Sequence, residues 1–474
     1  MTAQKITIEP VTRIEGHAKV TIHLKEDGSV EHAYFHVNEF RGFEKFCEGR
    51  LVQEMPQITP RICGICPVSH HLAAAKAGDA VLGCPPPKPA ALLRELMHMG
   101  QVIQSHGMHF FELAGPDLIL GFDHDPATRN VVGLVQADPE LTLKAVRLRK
   151  FGQSIISALG ERSVHPTFAV PGGVSHAFTI DARDSLLAQL DEQIATIQTG
   201  LQIATRWVEA NLETIREFAV FPTGYMSLVT PQNSLELYDG KIRLVGQDGQ
   251  QLEKFDPQSY LDYIAEHVEP WSYLKFPYYK KLGYPEGVYR VGPLGRLNAV
   301  DQIDTPLANA EFQRFKALNH GLPVENTLHY HYARLIETLF AAERARVLLE
   351  DPDILSTDIR NTHQEPREQG VGVIEAPRGT LIHHYWVNSY GQISKANLIV
   401  ATGHNNYAMS KAVDDVAKTY VHGPDISEGM LNRVEHAIRA HDPCLSCSTH
   451  AVGSMPMEVS VYDPQGNLLR VIKR

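Results

Sequence analysis

Cysteine is scarce in this chain. Six occur in 474 residues: Cys47, Cys63, Cys66, Cys84, Cys444 and Cys447. That number excludes a disulfide-stapled scaffold. Basic charge is also in short supply. The 44 Lys and Arg are outnumbered by 55 Asp and Glu, for a formal net charge of −11. A nucleic-acid surface needs a basic field, so no nucleic-acid partner is expected. No apolar run reaches eighteen residues, and no membrane span or membrane partner is expected. The opening MTAQKITIEP lacks the basic-then-apolar order of a secretory signal, which makes a cytoplasmic location the default expectation. Internal repeats and low-complexity segments are missing too. What remains is an ordinary globular composition, 43% hydrophobic and 21% charged, long enough for a large core or two packed sub-cores.

Periodicity gives the architecture. Ile6–Ile8, Ala18–Ile22 and Ala33–Phe35 are short strand-like runs, with Asp27-Gly28 as a turn between the last two. Residues 90–114 read as a long helix after Pro85-Pro86-Pro87. Leu187, Leu190, Ile194, Ile197, Leu201, Ala204 and Val208 recur at spacings of three and four, with Asp184 at the N-cap position. This stripe suits a buried bundle helix; a coiled coil is the alternative. A second such helix covers 327–349, with Leu335, Ile336, Leu339 and Phe340 inward. Residues 220–320 are rich in Pro, Gly and Tyr and predict irregular structure with short strands, and 371–374 and 380–382 return to strand. The expected class is α+β: a large helical bundle with small peripheral antiparallel sheets.

Four of the six cysteines form two C-x-x-C pairs, in R-I-C-G-I-C-P at 61–67 and D-P-C-L-S-C at 442–447. Two intervening residues let both sulfurs of a pair turn towards one ion, and two pairs make a four-thiolate site. Read from spacing alone, three chemistries remain open: a transition-metal centre, a structural zinc, or redox dithiols. A zinc ribbon organises a small local fold, whereas these pairs lie near opposite ends of the chain.

The two cysteine motifs resemble the signatures of nickel–iron hydrogenase large subunits. R-I-E-G-H at 13–17, R-G-F-E at 41–44, H-P-T-F-A-V-P-G-G at 165–173, A-P-R-G at 376–379 and the continuation S-T-H at 448–450 match further family segments, in family order. The resemblance implies a catalytic domain over 1–450 in which both ends of the chain converge on a buried metal site. It implies Cys63 and Cys444 as terminal nickel ligands, with Cys66 and Cys447 bridging to an iron that carries one carbon monoxide and two cyanides. Four thiolates and two cyanides against two divalent ions leave about −2 of buried charge, which needs fixed donors. Arg378 is the implied donor over the open metal face, and Thr402 the implied donor to a cyanide. Asp117 and Asp442 are implied to hold Arg378 and the site in place. Splitting H2, a very weak acid, needs a base beside the metal; the resemblance assigns the proton to Cys444 and then to Glu15. Glu44, His450 and the backbone carbonyl near Ala396 are implied ligands of a distant magnesium or ferrous ion. His70, His71, His383 and His384 flank the motifs and read as packed histidines with a possible share in proton routes.

Cys47 and Cys84 alone cannot bind an iron–sulfur cluster, which generally needs four cysteines. Electrons from H2 therefore require a partner, and the resemblance supplies an iron–sulfur small subunit. The stretch N-E-F-R-G-F-E-K-F-C-E-G-R at 38–50 is most similar to the cytoplasmic bidirectional branch, which passes electrons to NAD through flavin-bearing diaphorase subunits. An NADP- or deazaflavin-linked relative is the alternative, because no G-x-G-x-x-G after a strand marks a nicotinamide site here. Some relatives have lost the nickel cysteines and are structural subunits of respiratory complexes; the four retained cysteines argue against that reading. The resemblance also implies nickel-insertion proteins and an endopeptidase that removes residues 451–474 as a propeptide.

Overall fold

The computed structural model describes residues 5–422, 426–449, 458–463, 465 and 467–473. Strands β1 (Lys5–Ile8), β2 (Lys19–Leu24) and β3 (Val30–His36) pair antiparallel in sequence order, as their alternation predicts. Helix α1 (Pro67–Leu82) starts directly after the first cysteine pair, with Pro67 at the first helical position, where a missing N–H is harmless. Helix α2 (Lys88–Met108) follows the proline break and runs into π-helical turns at His109–Ala114 and Pro116–Leu120. The predicted helix over 90–114 thus changes pitch in its last turns. Helix α3 (Pro139–Gly160) is capped by Asp138, whose carboxylate accepts from the Leu141 N–H.

The apolar stripe from Leu187 to Val208 is divided between two helices. Leu187 ends Ile180–Leu187, and α4 (Leu190–Ala210) carries the rest. Asp184 is not an N-cap. Thr179 caps the shorter helix by accepting from the Ala182 N–H, and Asp184 lies inside it. Periodicity could not reveal this break, because the stripe stays in phase across it.

Helix α5 (Gly292–Ala299) and the helix Pro306–Ala317 arise within the segment expected to be irregular. That segment also forms a four-stranded sheet, in which Tyr289–Arg290 pairs parallel to Gly224–Val229. Helix α6 (His329–Glu350) is buried on all sides over residues 329–343, which makes it the axis of the bundle. α2 and α4 both pack on it, and α3 packs on α2. Full burial of a leucine such as Leu335 contributes about 1.5–3 kcal/mol.

Strands β4 (Gln369–Ala376), β5 (Gly379–Val387) and β6 (Ile393–Ile399) form a sheet in the order β4-β5-β6. It is more central than a peripheral sheet: β4 is buried from Gly370 to Ala376 and lies against α1. Helices α7 (Asn406–Tyr420) and α8 (Glu428–Arg439) pack together, and α7 covers β3. Ser427 caps α8 through the Met430 N–H. Beyond the second cysteine pair, Glu458–Tyr462 and Leu468–Lys473 pair as an antiparallel hairpin, in line with the alternation around Asp463. Among the described residues, no helix is long and apolar enough to cross a membrane.

Candidate metal centre

The first cysteine pair sits where a short 3-10 turn (Thr59–Ile62) meets α1. The second follows α8. All four sulfurs converge, each within 4.8 Å of the others, and all four residues are buried. Cys63 lies 3.2 Å from Cys444, Cys66 lies 3.8 Å from Cys447, and Cys444 lies 2.6 Å from Cys447. A tetrahedral thiolate site with metal–sulfur bonds of about 2.3 Å puts its sulfurs roughly 3.8 Å apart. The four sulfurs are thus grouped as a soft-donor metal centre requires, with Cys444 and Cys447 closer together than a bound ion would hold them.

The N–H groups of Ile65 and Cys66 point at the Cys63 sulfur, at 3.2 and 3.1 Å. Burial alone would raise the Cys63 thiol. Hydrogen bonds from Cys444, Cys447 and Cys66, together with the Arg378 charge, overcome it and hold Cys63 well below the ordinary thiol range. Burial pushes Cys444 and Cys447 well above that range. A site that must bind an ion through thiolates has these protons to release on loading. The two remaining cysteines lie elsewhere; burial pushes Cys47 up to about 12, so it stays a thiol.

A small cavity adjoins the sulfurs, lined in part by Cys66, His70, Arg378, Thr402, Cys444 and Cys447. His70 Nε2 and Arg378 Nε are buried there without a hydrogen-bond partner among the described residues. Arg378 is 2% exposed. Its Nη2 donates to Asp442 Oδ1 at 2.9 Å, and its Nη1 makes a long contact of 3.4 Å to Ser105 Oγ. Asp442 adopts φ +54, a left-handed conformation that Asp tolerates better than most residues and that turns the chain into the Cys444 loop. Thr402 is close by, but its Oγ1 accepts from the Cys444 N–H at 2.9 Å; its own hydrogen remains to be donated.

Glu15 lies against the second pair. Residues 15 and 444 form an isolated parallel bridge, and the Leu445 N–H donates to Glu15 O at 3.1 Å. Gly16 makes this approach possible: at φ +83, a Cβ there would come within 2.9 Å of Leu445 Cβ and Ser446 N. The Cys444 thiol donates to Glu15 Oε2 at 2.9 Å, the Ser446 N–H donates to the same oxygen at 3.2 Å, and the Ser446 hydroxyl donates to Oε1. Glu15 is half-buried, and Gly64 above the sulfurs is exposed, so the cluster lies just below the surface.

Asp117 is not at Arg378. Its Oδ1 accepts from Arg13 at 2.5 Å and Asn432 at 3.1 Å, and its Oδ2 from Arg439 at 2.5 Å; His436 Nδ1 lies 2.7 Å from Oδ2. Burial opposes ionisation there, yet Arg439, His436 and Arg13 hold the carboxyl well below its usual range. Arg439 also donates to Thr12 O at 3.0 Å. Asp117 thus ties the R-I-E segment to α8, while Ser105 from α2 occupies the place beside Arg378. No sequence pattern marks Ser105; Ser446, inside the second cysteine motif, was open to recognition.

Glu44 accepts from the Leu398 N–H at 2.8 Å, two residues along β6 from the buried Ala396. Burial raises its carboxyl to about 7. His450, the third residue expected there, lies outside the described residues.

Residues 41–142 and 211–450 match the nickel-dependent hydrogenase family, and residues 5–40 match a family described as HoxL-like. The chain therefore belongs to the nickel-dependent hydrogenases: it is a nickel–iron hydrogenase large subunit, an oxidoreductase acting on H2. Among its relatives is the β subunit of the NAD-reducing hydrogenase HoxS of Cupriavidus necator, 44% identical over 98% of this chain and 99% of the relative. A subunit of the F420-non-reducing hydrogenase of Methanothermobacter thermautotrophicus is also 44% identical, over 99% of this chain and 100% of the relative. A crystal structure of an NAD+-reducing [NiFe]-hydrogenase in the H2-reduced state superposes with a TM-score of 0.92 at 46% identity, covering 95% of this chain and 100% of that one.

Proposed function

We propose that Cys63, Cys66, Cys444 and Cys447 would hold a Ni–Fe(CO)(CN)2 centre and that the protein splits H2 reversibly. When bound, the centre supplies the Lewis acid that polarises H2 and accepts its electrons. The observation that carries the reading is the 2.9 Å contact between the Cys444 sulfur and Glu15 Oε2. It provides the base that heterolytic cleavage demands. Two donors from Ser446 fix the Glu15 carboxylate in place beside the Cys444 sulfur. Its partial exposure keeps that proton within reach of water. Arg378 cannot lose its own proton and offers a fixed cation to the cavity, braced by Asp442. Thr402 fixes the backbone at Cys444 and retains a hydroxyl hydrogen for a cyanide. Glu44 and Ala396, with His450, would hold a magnesium or ferrous ion; oxygen donors suit either.

The exposed backbone at Gly64 is the natural exit for electrons, and an iron–sulfur small subunit would cover it. Beyond that partner we assign a cytoplasmic complex with flavin-bearing diaphorase subunits and NAD as acceptor, on the likeness to NAD-reducing hydrogenases. A second reading has support in sequence: the F420-non-reducing relative is 44% identical as well. H2-dependent NAD reduction by the purified complex decides between them. Nickel and iron analysis with infrared spectroscopy tests the centre, and bands from metal-bound carbon monoxide and cyanide are expected. Residues 451–474 are proposed to be cleaved after His450 during maturation; mass spectrometry of active enzyme ending at Arg474 would defeat that.

A further inference from the structure

We propose that Arg296 is a positioning residue for the reaction: it aims Arg378 into the cysteine cavity by clamping the turn from which Arg378 projects. The proposal rests on the reading above that Arg378 serves the metal centre.

The turn itself explains the need. β4 and β5 are joined by Pro377 and Arg378 alone, with Ala376 paired to Gly379. Two-residue hairpins favour turns with φ > 0 at the first central residue, because only those match the strand twist. Proline is locked near φ −65° and cannot adopt them. Neither Pro377 nor Arg378 has a positive φ. Gly379, at φ +137, takes up the reversal that the two central residues cannot, and contacts from outside the hairpin hold the turn.

Arg296, from α5, is in place to do so. Its Nη1 donates to Ala376 O at 2.9 Å and its Nη2 to Pro377 O at 3.1 Å, the two carbonyls immediately before Arg378. Its other donors are fixed by anions. Nε and Nη2 donate to the two Glu337 oxygens, both at 2.6 Å, and Nη1 to Glu375 Oε2 at 2.8 Å. Arg296 is 1% exposed and both carboxylates 0%. The anions are anchored in turn: His106 Nε2 lies 3.1 Å from Glu337 Oε2, and Thr380 donates to Glu375 at 2.8 Å. From behind, the turn sits directly on the start of α5. A Cβ on Gly292 would lie 2.9 Å from Arg378 O, and one on Gly379 would lie 2.1 Å from Val291 Cγ2.

Among the described residues, Arg378 has little else to fix it. Its side chain meets one carboxylate and a long serine contact, so its direction is inherited from the backbone beneath it. Only a planar fork of five donors reaches two carbonyls and two carboxylates together; an ammonium keeps the charge but not the geometry.

The test uses the nickel-loaded complex with R296K, R378K and the double variant. R296K is expected to lower turnover about 10- to 100-fold, the usual cost of misplacing a reacting group by about an ångström. Nickel content and KM for H2 should be unchanged. A crystal structure of R296K should show the Arg378 Nη2–Asp442 Oδ1 separation lengthened beyond 2.9 Å. On the R378K background, R296K should cost nothing further. The proposal is overturned if R296K lowers turnover by the same factor on both backgrounds, or leaves Arg378 in place. If R296K fails to accumulate, E375Q loosens the same clamp and is read the same way. Full turnover in R378K would sink the assignment of Arg378 to the reaction, while Arg378 displacement in R296K would still stand as the measure of the clamp.

Discussion

Replacing Asp117 by Asn should separate the two ends of the catalytic chain. The Asp117 carboxylate is fully buried and meets Arg439, also fully buried, at 2.5 Å, as well as Arg13, which is 16% exposed. Asn has nearly the same volume, so no cavity forms. The loss is electrostatic: Arg439 keeps only the longer carboxylate contact to Glu435, at 3.5 Å, and the new amide N–H₂ faces donors. Breaking a buried pair from one side typically costs about 3–5 kcal/mol. Even the lower figure shifts an unfolding equilibrium by roughly a hundredfold. The first part to loosen should be the R-I-E segment, because Arg13 is anchored to Asp117 and to Leu113 O. Urea unfolding should therefore show a lower midpoint, and purified enzyme should carry less nickel. Arg378 should keep its contact with Asp442. An unchanged midpoint with full nickel would refute the tie between the ends, and a displaced Arg378 would restore Asp117 to the role its motif position suggested.

Three other perturbations have definite outcomes. E15Q keeps shape and hydrogen bonding but removes the base, so H2 oxidation should fall by roughly 10²–10⁴-fold with nickel content unchanged, as measured by hydrogen uptake and metal analysis; full activity would exclude Glu15 as proton acceptor. Serine at Cys63, Cys66, Cys444 or Cys447 should abolish nickel binding, whereas C47S should leave it intact, since Cys47 lies outside the cluster. Acid should destabilise the fold early. Burial holds His98, His404 and His441 at about 3, and His70, His71, His106, His329, His384 and His436 at about 4. These groups stay neutral when folded and take up protons on unfolding below about pH 6.5. Their contribution is complete above that value and is lost as the pH falls towards 4. Glu44 and Glu236, both raised to about 7, act in the opposite direction over pH 7 to 4.5, but two groups cannot balance nine. A urea midpoint that stays level from pH 7 to pH 5 would contradict this.

How much of this was readable beforehand depends on whether the information was local. C-x-x-C spacing and the R-I-E-G-H segment pointed to the sulfur cluster and to Glu15 because each is a contiguous motif. The central helices were visible in their apolar period, and the first sheet in its alternation. Asp117 was assigned to the wrong arginine because a motif position fixes the element that carries a residue, not which of several buried arginines it meets. Ser105 gave no signal, being a polar residue on a helix that is buried all round in that stretch. Arg296 lay in a segment whose Pro and Gly content suggested loops. Those residues instead let a short helix press against the A-P-R-G turn, a relation that exists only in three dimensions. The break before Leu190 was hidden because hydrophobic phase carries across a kink.

The parallel bridge between residues 15 and 444 has a consequence for assembly. A ribosome makes a chain from its N-terminus, so half of the sulfur donors and the backbone partner of Glu15 emerge long after the first cysteine pair. Until then the first pair of thiols stands open beside α1, with nothing to close the pocket. Nickel can be enclosed only after the second cysteine pair has been made, and the docking of that segment on the N-terminal one seals the active centre.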